Sequence, residues 1–424
     1  MFQIIILPVR RIMISVDHAL RIVLDTAQVL PVRSISITES VGLVLGENII
    51  SSENIPSFDN SAMDGYAVRF IDVQNASREN PVTLKVVDVL PAGKVSQKHL
   101  EEHETIQIMT GAPLPSGADA VVMVEQTEKK NDNEVLFFSP VQKNEHCRKA
   151  GDDIKAGQVV FQKGRLIKPY DVGVLASIGK STIQINPKPS IAILSTGDEL
   201  VGIDEPLPPG KIRSSNNYTL RALIEKMGMT AVDLGIAKDT LQDTEKKLMS
   251  AFSADIVLTS GGVSMGEFDY VREALEKLGV DIKFWKVKQK PGKPLVFGNY
   301  QNKLFFGLPG NPVSSIVCFE LFVVPAIKKM SNVDYYTPNS VKAVSSVQIP
   351  KKPGLRYFLR GILCKNEKGF TVSPMNNQSS GVMSSLSYAN CLIDIPEEAG
   401  NIEPGQEVTV ILLDRQTLHE LMCI

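Results

Sequence analysis

At 424 residues the chain is too long for a single hydrophobic core, so several domains are expected. Its 45 basic and 47 acidic residues nearly cancel, which gives no support to non-specific nucleic-acid binding, and a hydrophobic content of 43% is ordinary for a soluble globular protein. Five cysteines (Cys147, Cys318, Cys364, Cys391, Cys423) contain no C-x-x-C pair, which argues against a zinc site or disulfide framework and fits a reducing cytoplasm.

The first segment, MFQIIILPVRRIM, is too short to span a bilayer, and Arg10-Arg11 follow its apolar run where a secretory signal would place its charges first. Residues 1 to 12 are therefore expected to be a dispensable extension. Ser15 or Asp17 caps a helix containing Ala19 to Leu24. Short β runs such as Val82–Val87 and Ala120–Val124, separated by Pro/Gly turns, predict an inserted β module over 56–146. The flanking stretches 13–55 and 147–186 are grouped as one discontinuous N-terminal domain.

From Pro187 the pattern becomes alternating strand and helix. Ser190–Leu194 is a strand, Ser215–Met227 a helix stopped by Gly228, Leu241–Phe252 a helix, Ile256–Thr259 a strand, and Val271–Leu278 a helix ended by Gly279. This predicts a central parallel α/β domain over 187–333. Residues 334–424 return to short β runs (Val341–Val347, Phe370–Val372, Cys391–Ile395, Glu407–Leu412), which predict a small β barrel or sandwich. The expected fold class is multidomain α/β plus β, with the inserted β module and the C-terminal barrel around the α/β domain.

Three chemically loaded turns fall in the α/β domain: SGGVSMGEFDY (260–270), KQKPGKP (288–294) and GLPGNPVSS (307–315). In an open α/β sheet ligands bind at the carboxyl ends of the strands, where glycine turns and helix N-termini offer backbone N–H groups to phosphate. STGDEL (195–200) also follows a buried strand, placing Asp198 and Glu199 at that edge. Taken singly, such acids are equally read as helix caps. With Asp239, Glu267 and Asp269 on other turns of the same edge, they read as hard oxygen ligands of the kind Mg2+ takes beside a phosphate. The PGKP turn is not a Walker motif, since neither Ser nor Thr follows its lysine, and taken alone it reads as a solvated loop. Its prolines and glycine nevertheless restrict where Lys290 and Lys293 point. Pro312 in GLPGNP sits where a helix begins, leaving donors for an anion. Upstream, PSFDNSAMDGYA (56–67) and TGAPLPSGAD (110–119) read individually as polar turns, and the five histidines form no convincing site.

The ordered set PSFDNSAMDGYA, TGAPLPSGADAVVMVE, RKAGDDIKAGQVV, STGDEL, SGGVSMGEFDY, KPGKP and GLPGNPVSS resembles the molybdopterin molybdenumtransferases (MoeA), also seen in the carboxy-terminal domain of gephyrin, from about Met13 to the end. The resemblance implies Mg2+-assisted hydrolysis of adenylylated molybdopterin, with molybdate inserted into its dithiolene to give molybdenum cofactor and AMP released. It also implies an elongated four-domain homodimer in the cytoplasm, in which the discontinuous N-terminal domain serves dimerisation. Its implied contacts are the molybdopterin adenylyltransferase and cofactor-accepting apoenzymes, with no nucleic acid and no membrane. Carried over by motif, the implied catalytic residues are Asp59, Asp153, Glu199, Asp239 and Asp269, with Glu199, Asp239 and Asp269 as metal ligands. The implied substrate contacts are Thr110, Arg148, Gly261, Gly262, Ser264, Lys286, Lys290, Lys293, Pro309, Gly310, Asn311 and Pro312. Gln378-Ser379-Ser380-Gly381 matches a Q-x-S turn of the family and adds Ser380 as an oxyanion contact, while the spacing in GLRYFLRG leaves the choice between Arg356 and Arg360 open. Two other readings stand beside this one. They are an adenylyltransferase, against which the β module and PGKP argue, and a gephyrin-like scaffold, against which the acidic set argues.

Overall fold

The computed structural model of the chain describes residues 13–262, 270–334, 336, 338–367 and 369–413. The expectations for residues 1 to 12, Ser264, Glu267 and Asp269 lie outside these. The chain divides into two compact units, one of Met1–Arg33, Gly42–Val44 and Ile185–Ile424, the other of Ser34–Val41 and Leu45–Gln184.

The first unit contains a six-stranded sheet in the order Ala231–Ala237, Ile191–Thr196, Ile256–Ser260, Lys303–Leu308, Pro294–Tyr300, Asp281–Lys286. The first four strands run parallel, and every side chain of Ile191–Thr196 and Ile256–Ser260 is buried, as a sheet covered on both faces requires. Helices Ser215–Lys226, Leu241–Ala251 and Tyr270–Leu278 pack on it through Leu220 and Ile224, Leu248 and Ala251, and Ala274 and Leu275. The sheet ends in two antiparallel strands, 294–300 against 303–308 and 281–286 against 294–300, which extend the parallel core expected from the sequence. Ile191–Thr196 lies between the strand that follows it and the strand after that. Chain order therefore reverses direction there, and the carboxyl ends of 191–196 and 256–260 open a crevice.

The same unit carries a closed five-stranded barrel. Strand Arg356–Asn366 pairs with Gly369–Pro374, which pairs with Ser340–Ser345, then Glu407–Leu412, then Cys391–Ile395, which returns to Arg356–Asn366. Gln289–Lys290 adds to the 356–366 strand in parallel, with Lys290 opposite Tyr357, so the PGKP turn is stitched to the barrel by backbone. The helical run from Pro312 to Met330 includes a π segment at Phe319–Val323 and buries Val313, Ile316, Phe319 and Phe322 in the largest core.

The second unit holds a six-stranded sheet in the order Ala120–Met123, Gly65–Val68, Glu104–Ile108, Val82–Leu90, Glu134–Phe137, Thr127–Asn131. Tyr66, Leu84, Val122 and Phe137 form one of its cores, with Tyr66 edge-on to Phe137 at 5.8 Å. No helix among the described residues is long and apolar enough to cross a membrane.

Candidate active site

The crevice at the strand ends is a pocket of about 760 Å3. Its floor is STGDEL on one side and Ser260-Gly261-Gly262 on the other, and its walls are Pro309–Pro312, Ser214–Asn216 and Gly381. Three glycines are needed by its shape. Gly197 has φ +139°, and a Cβ there would lie 2.5 Å from the Glu199 carboxylate folded back over it. At Gly261, φ +91°, a Cβ would sit 2.6 Å from the Thr196 carbonyl, and at Gly262, φ +63°, it would collide with Val271 and the Thr196 hydroxyl. The backbone can therefore approach a ligand closely here, with its N–H groups uncovered by side chains.

Two of the expected carboxylates, Glu199 and Asp239, line this pocket, as do Gly261, Gly262, Pro309, Gly310, Asn311 and Pro312. The turn carrying Asp239 is fixed reciprocally: the Asp198 N–H donates to the Asp239 carboxylate at 3.0 Å, and the Asp239 N–H donates to that of Asp198 at 3.1 Å. Asn216, which the sequence reading missed, joins three segments of the rim. Its Nδ2 donates to Ser260 Oγ at 2.7 Å and to the Gly310 carbonyl at 2.9 Å. The only sequence signal for it is the polar run Ser214-Ser-Asn-Asn217 at the start of a helix. Behind it, buried Asn217 accepts from Ser195 Oγ at 2.6 Å and donates to Asp233 at 2.9 Å.

A second pocket of about 840 Å3 adjoins the first through Pro294, Pro309 and Asn311. It is lined by Lys290, Lys293, Arg360, Gln378 and Ser380, among others. Asn311 Nδ2 donates to Ser380 Oγ at 3.0 Å, and the Ser380 carbonyl accepts from the Val313 N–H at 3.1 Å, so the hydroxyl proton of Ser380 is left to donate to a ligand. Lys288 is held by Glu397 at 2.8 Å. Gln289, with no exposure, donates from Nε2 to the Gly292 carbonyl at 3.1 Å and supports the turn from beneath.

The two arginines left open by the sequence differ in kind. Arg356 lines neither pocket; its guanidinium grips Asp394 at 2.6 Å and Asp17 at 2.8 Å. Arg360 lines the second pocket but is fully buried, donating to the carbonyls of Asn377, Gln378 and Ser379 and to Ser385 Oγ at 2.9–3.1 Å. The Gln378 side chain answers by pairing with the Arg360 N–H and carbonyl. Arg360 thus moulds the turn that presents Ser380. Lys286 ends the Asp281–Lys286 strand and lines neither pocket.

The remaining expected residues gather in the second unit. Arg148 pairs in register with Asn60, and Leu114 N–H donates to the Asp59 carbonyl at 2.9 Å, which brings PSFDNSAMDGYA, TGAP and RKAGDD together. Lys149 reaches Asp59 at 2.9 Å and the Ala150 N–H adds a bond at 2.8 Å; these hold the Asp59 carboxyl below its usual range. Thr110 donates both its N–H and its hydroxyl to Asp64, at 2.6 and 2.9 Å, and lowers that carboxyl in the same way. Asp64 and Lys149 are additions to the expected set. Asp153 is exposed on the adjoining turn, where its N–H donates to the Ile55 carbonyl at 3.0 Å.

Family models match along nearly the whole described chain: the MoeA N-terminal region (domain I and II) at 14–179, a probable molybdopterin binding domain at 192–329, and the MoeA C-terminal region (domain IV) at 342–413. The chain belongs to the MoeA family. The molybdopterin molybdenumtransferase of Haemophilus influenzae is 39% identical over 379 residues, covering 89% of this chain and 92% of that one. That of Staphylococcus aureus (strain COL) is 36% identical over 411 residues, covering 96% and 97%. A crystal structure of the molybdopterin biosynthesis MoeA protein from Pyrococcus horikoshii OT3 is 31% identical with a TM-score of 0.76, and covers 95% of this chain and all (100%) of that one. A crystal structure of a molybdopterin biosynthesis MoeA protein from Pyrococcus horikosii, 30% identical with the same coverage, has a TM-score of 0.82. In this MoeA chain the molybdopterin-binding family model spans all of the first pocket's lining except Gly381 and Met383, which fall in the C-terminal region's match.

Proposed function

We propose that this chain inserts molybdenum from molybdate into adenylylated molybdopterin and releases AMP. The observation that carries the reading is the pair of adjoining pockets, one with carboxylates and bare glycine turns, the other with two lysines and an oriented serine hydroxyl. The first suits a phosphoanhydride: the Gly262, Gly310 and Asn311 turns and the helix starting at Ser215 offer N–H donors to its oxygens, while the Gly261 N–H is already given to the Leu308 carbonyl. Glu199 and Asp239 fit Mg2+, which takes one or two protein carboxylates when phosphate and water complete its shell, and among the described residues there is no group of three or more acidic, His or Cys side chains to form a closed cage. Glu199 and Asp239 would hold the ion, which would supply positive charge against the phosphate oxygens. Water attacks one phosphorus of the anhydride and its oxygen stays there, while the bond from that phosphorus to the bridging oxygen breaks and the bridging oxygen remains on the other phosphate, so AMP and the molybdopterin phosphate separate.

The second pocket suits the molybdate dianion. Lys290 and Lys293 supply charge and the Ser380 hydroxyl a directed donor. Lys290→Ala is expected to raise the molybdate concentration needed for half-maximal insertion by an amount equivalent to about 1.5–3 kcal/mol, the value of a charge-assisted hydrogen bond. Titration of molybdate against product metal content measures it, and an unchanged midpoint rejects this pocket as the oxyanion site.

The same reading includes a homodimer acting in the cytoplasm. The compartment is supported by Cys147, Cys318, Cys364 and Cys391, all free thiols among the described residues. Light scattering is expected to give a dimer, and a fully active monomer at assay concentration excludes it.

A further inference from the structure

Lys290 differs from its neighbour Lys288 in how it is held. Lys288 is fixed by the Glu397 carboxylate, which cancels its charge. Lys290 has no carboxylate partner among the described residues; its ammonium lies 5.2 Å from the centroid of the Tyr357 ring, and the two residues are backbone partners across the strand pairing. A second ammonium stands over the same ring. Lys351 Nζ lies 5.1 Å from its centroid, is buried, and donates to the carbonyls of Glu397 and Ala399 at 3.2 and 2.8 Å. Both distances are within the reach of a cation–π attraction, which is about 6 Å. An ion pair would position Lys290 at the expense of its field toward an oxyanion. An aromatic face positions it and leaves the full positive charge available.

We propose that Tyr357 is a positioning residue for molybdate capture: its ring, shared with buried Lys351, holds the Lys290 ammonium at the mouth of the second pocket as an unneutralised cation. The inference rests on the reading of that pocket as the oxyanion site. The ring, and not the phenol hydroxyl, does the positioning, so the expected effect falls on molybdate binding and not on turnover.

The test uses the full chain with fluorinated phenylalanines placed at position 357, which keep the ring's shape while withdrawing negative charge from its face. Tyr357→Phe is expected to keep KM for molybdate within about twofold of the starting value, and successive fluorination to raise it stepwise to about three- to tenfold, with kcat and melting temperature unchanged. In a Lys290→Ala background the same series is expected to be flat, because the cation it acts on is gone. A flat series in the Lys290 protein, while Lys290→Ala still raises KM, overturns the role of Tyr357 and leaves the oxyanion pocket standing. A fall in kcat without a rise in KM also overturns it. If Lys290→Ala itself leaves KM unchanged, the reading of the pocket fails and the inference with it.

Discussion

Arg360→Leu is expected to lower stability by about 3–5 kcal/mol, because the carbonyls at 377, 378 and 379 lose the buried guanidinium that donates to them, each bond to a charged group being worth about 1.5–3 kcal/mol before water and relaxation recover part of it. For a unit of this size that corresponds to a fall in melting temperature on the order of 10 °C. The same turn carries Ser380, so molybdate affinity is expected to fall even at temperatures where the variant stays folded. Calorimetry with a molybdate titration at 15 °C separates the two effects. Arg360→Lys keeps the charge but not the planar fork that reaches several carbonyls at once, and is expected to recover only a small part of either loss. A variant that melts normally would show that water replaces the guanidinium and that the turn shapes itself.

Asp239→Asn is expected to act in the opposite manner, sparing the fold and impairing the chemistry. The asparagine still offers an oxygen to the Asp198 N–H, so the reciprocal clasp between the two turns survives. The lost charge removes one of the two carboxylates available to Mg2+, and AMP release from adenylylated molybdopterin is expected to slow by about 100-fold, with partial recovery at high Mg2+. Glu199→Gln is expected to match it, and the double variant to fall by less than the product of the two, since both carboxylates serve one ion. AMP release at the normal rate in both variants leaves these acids as turn-stabilising residues and removes the metal from the proposal.

Much of the first pocket is legible in the sequence because its parts are short-range. A buried apolar run followed by Gly-Gly, or by Ser-Thr-Gly-Asp-Glu, announces a strand end, and Pro312 announces a helix start, so Gly261, Glu199 and Pro312 fall at one sheet edge as expected. What was not legible depends on long-range pairing. The contact between Asp59 and Lys149 crosses 90 residues and carries no local periodicity. The strand Arg356–Asn366 carries no clear strand signal in the sequence, because Arg360 interrupts the apolar inward face and its compensation comes from carbonyls 17 to 19 residues further on. Asn216 belongs to a polar run that looks like a cap, and its bonds to Ser260 and Gly310 are set by where three turns converge. Lys286 sits beside PGKP in sequence, yet the turn between Lys286 and Lys290 carries the chain from the sheet to the barrel strand, and only Lys290 and Lys293 end in the pocket lining.

The most direct measurement is single-turnover incubation of the purified chain with adenylylated molybdopterin, Mg2+ and molybdate, followed by quantifying AMP and the metal bound to the released pterin. The proposal predicts AMP and molybdenum-loaded pterin in equal amounts, with both reduced by Asp239→Asn and the molybdate dependence alone shifted by Lys290→Ala. Release of AMP without molybdenum in the product at saturating molybdate would contradict it.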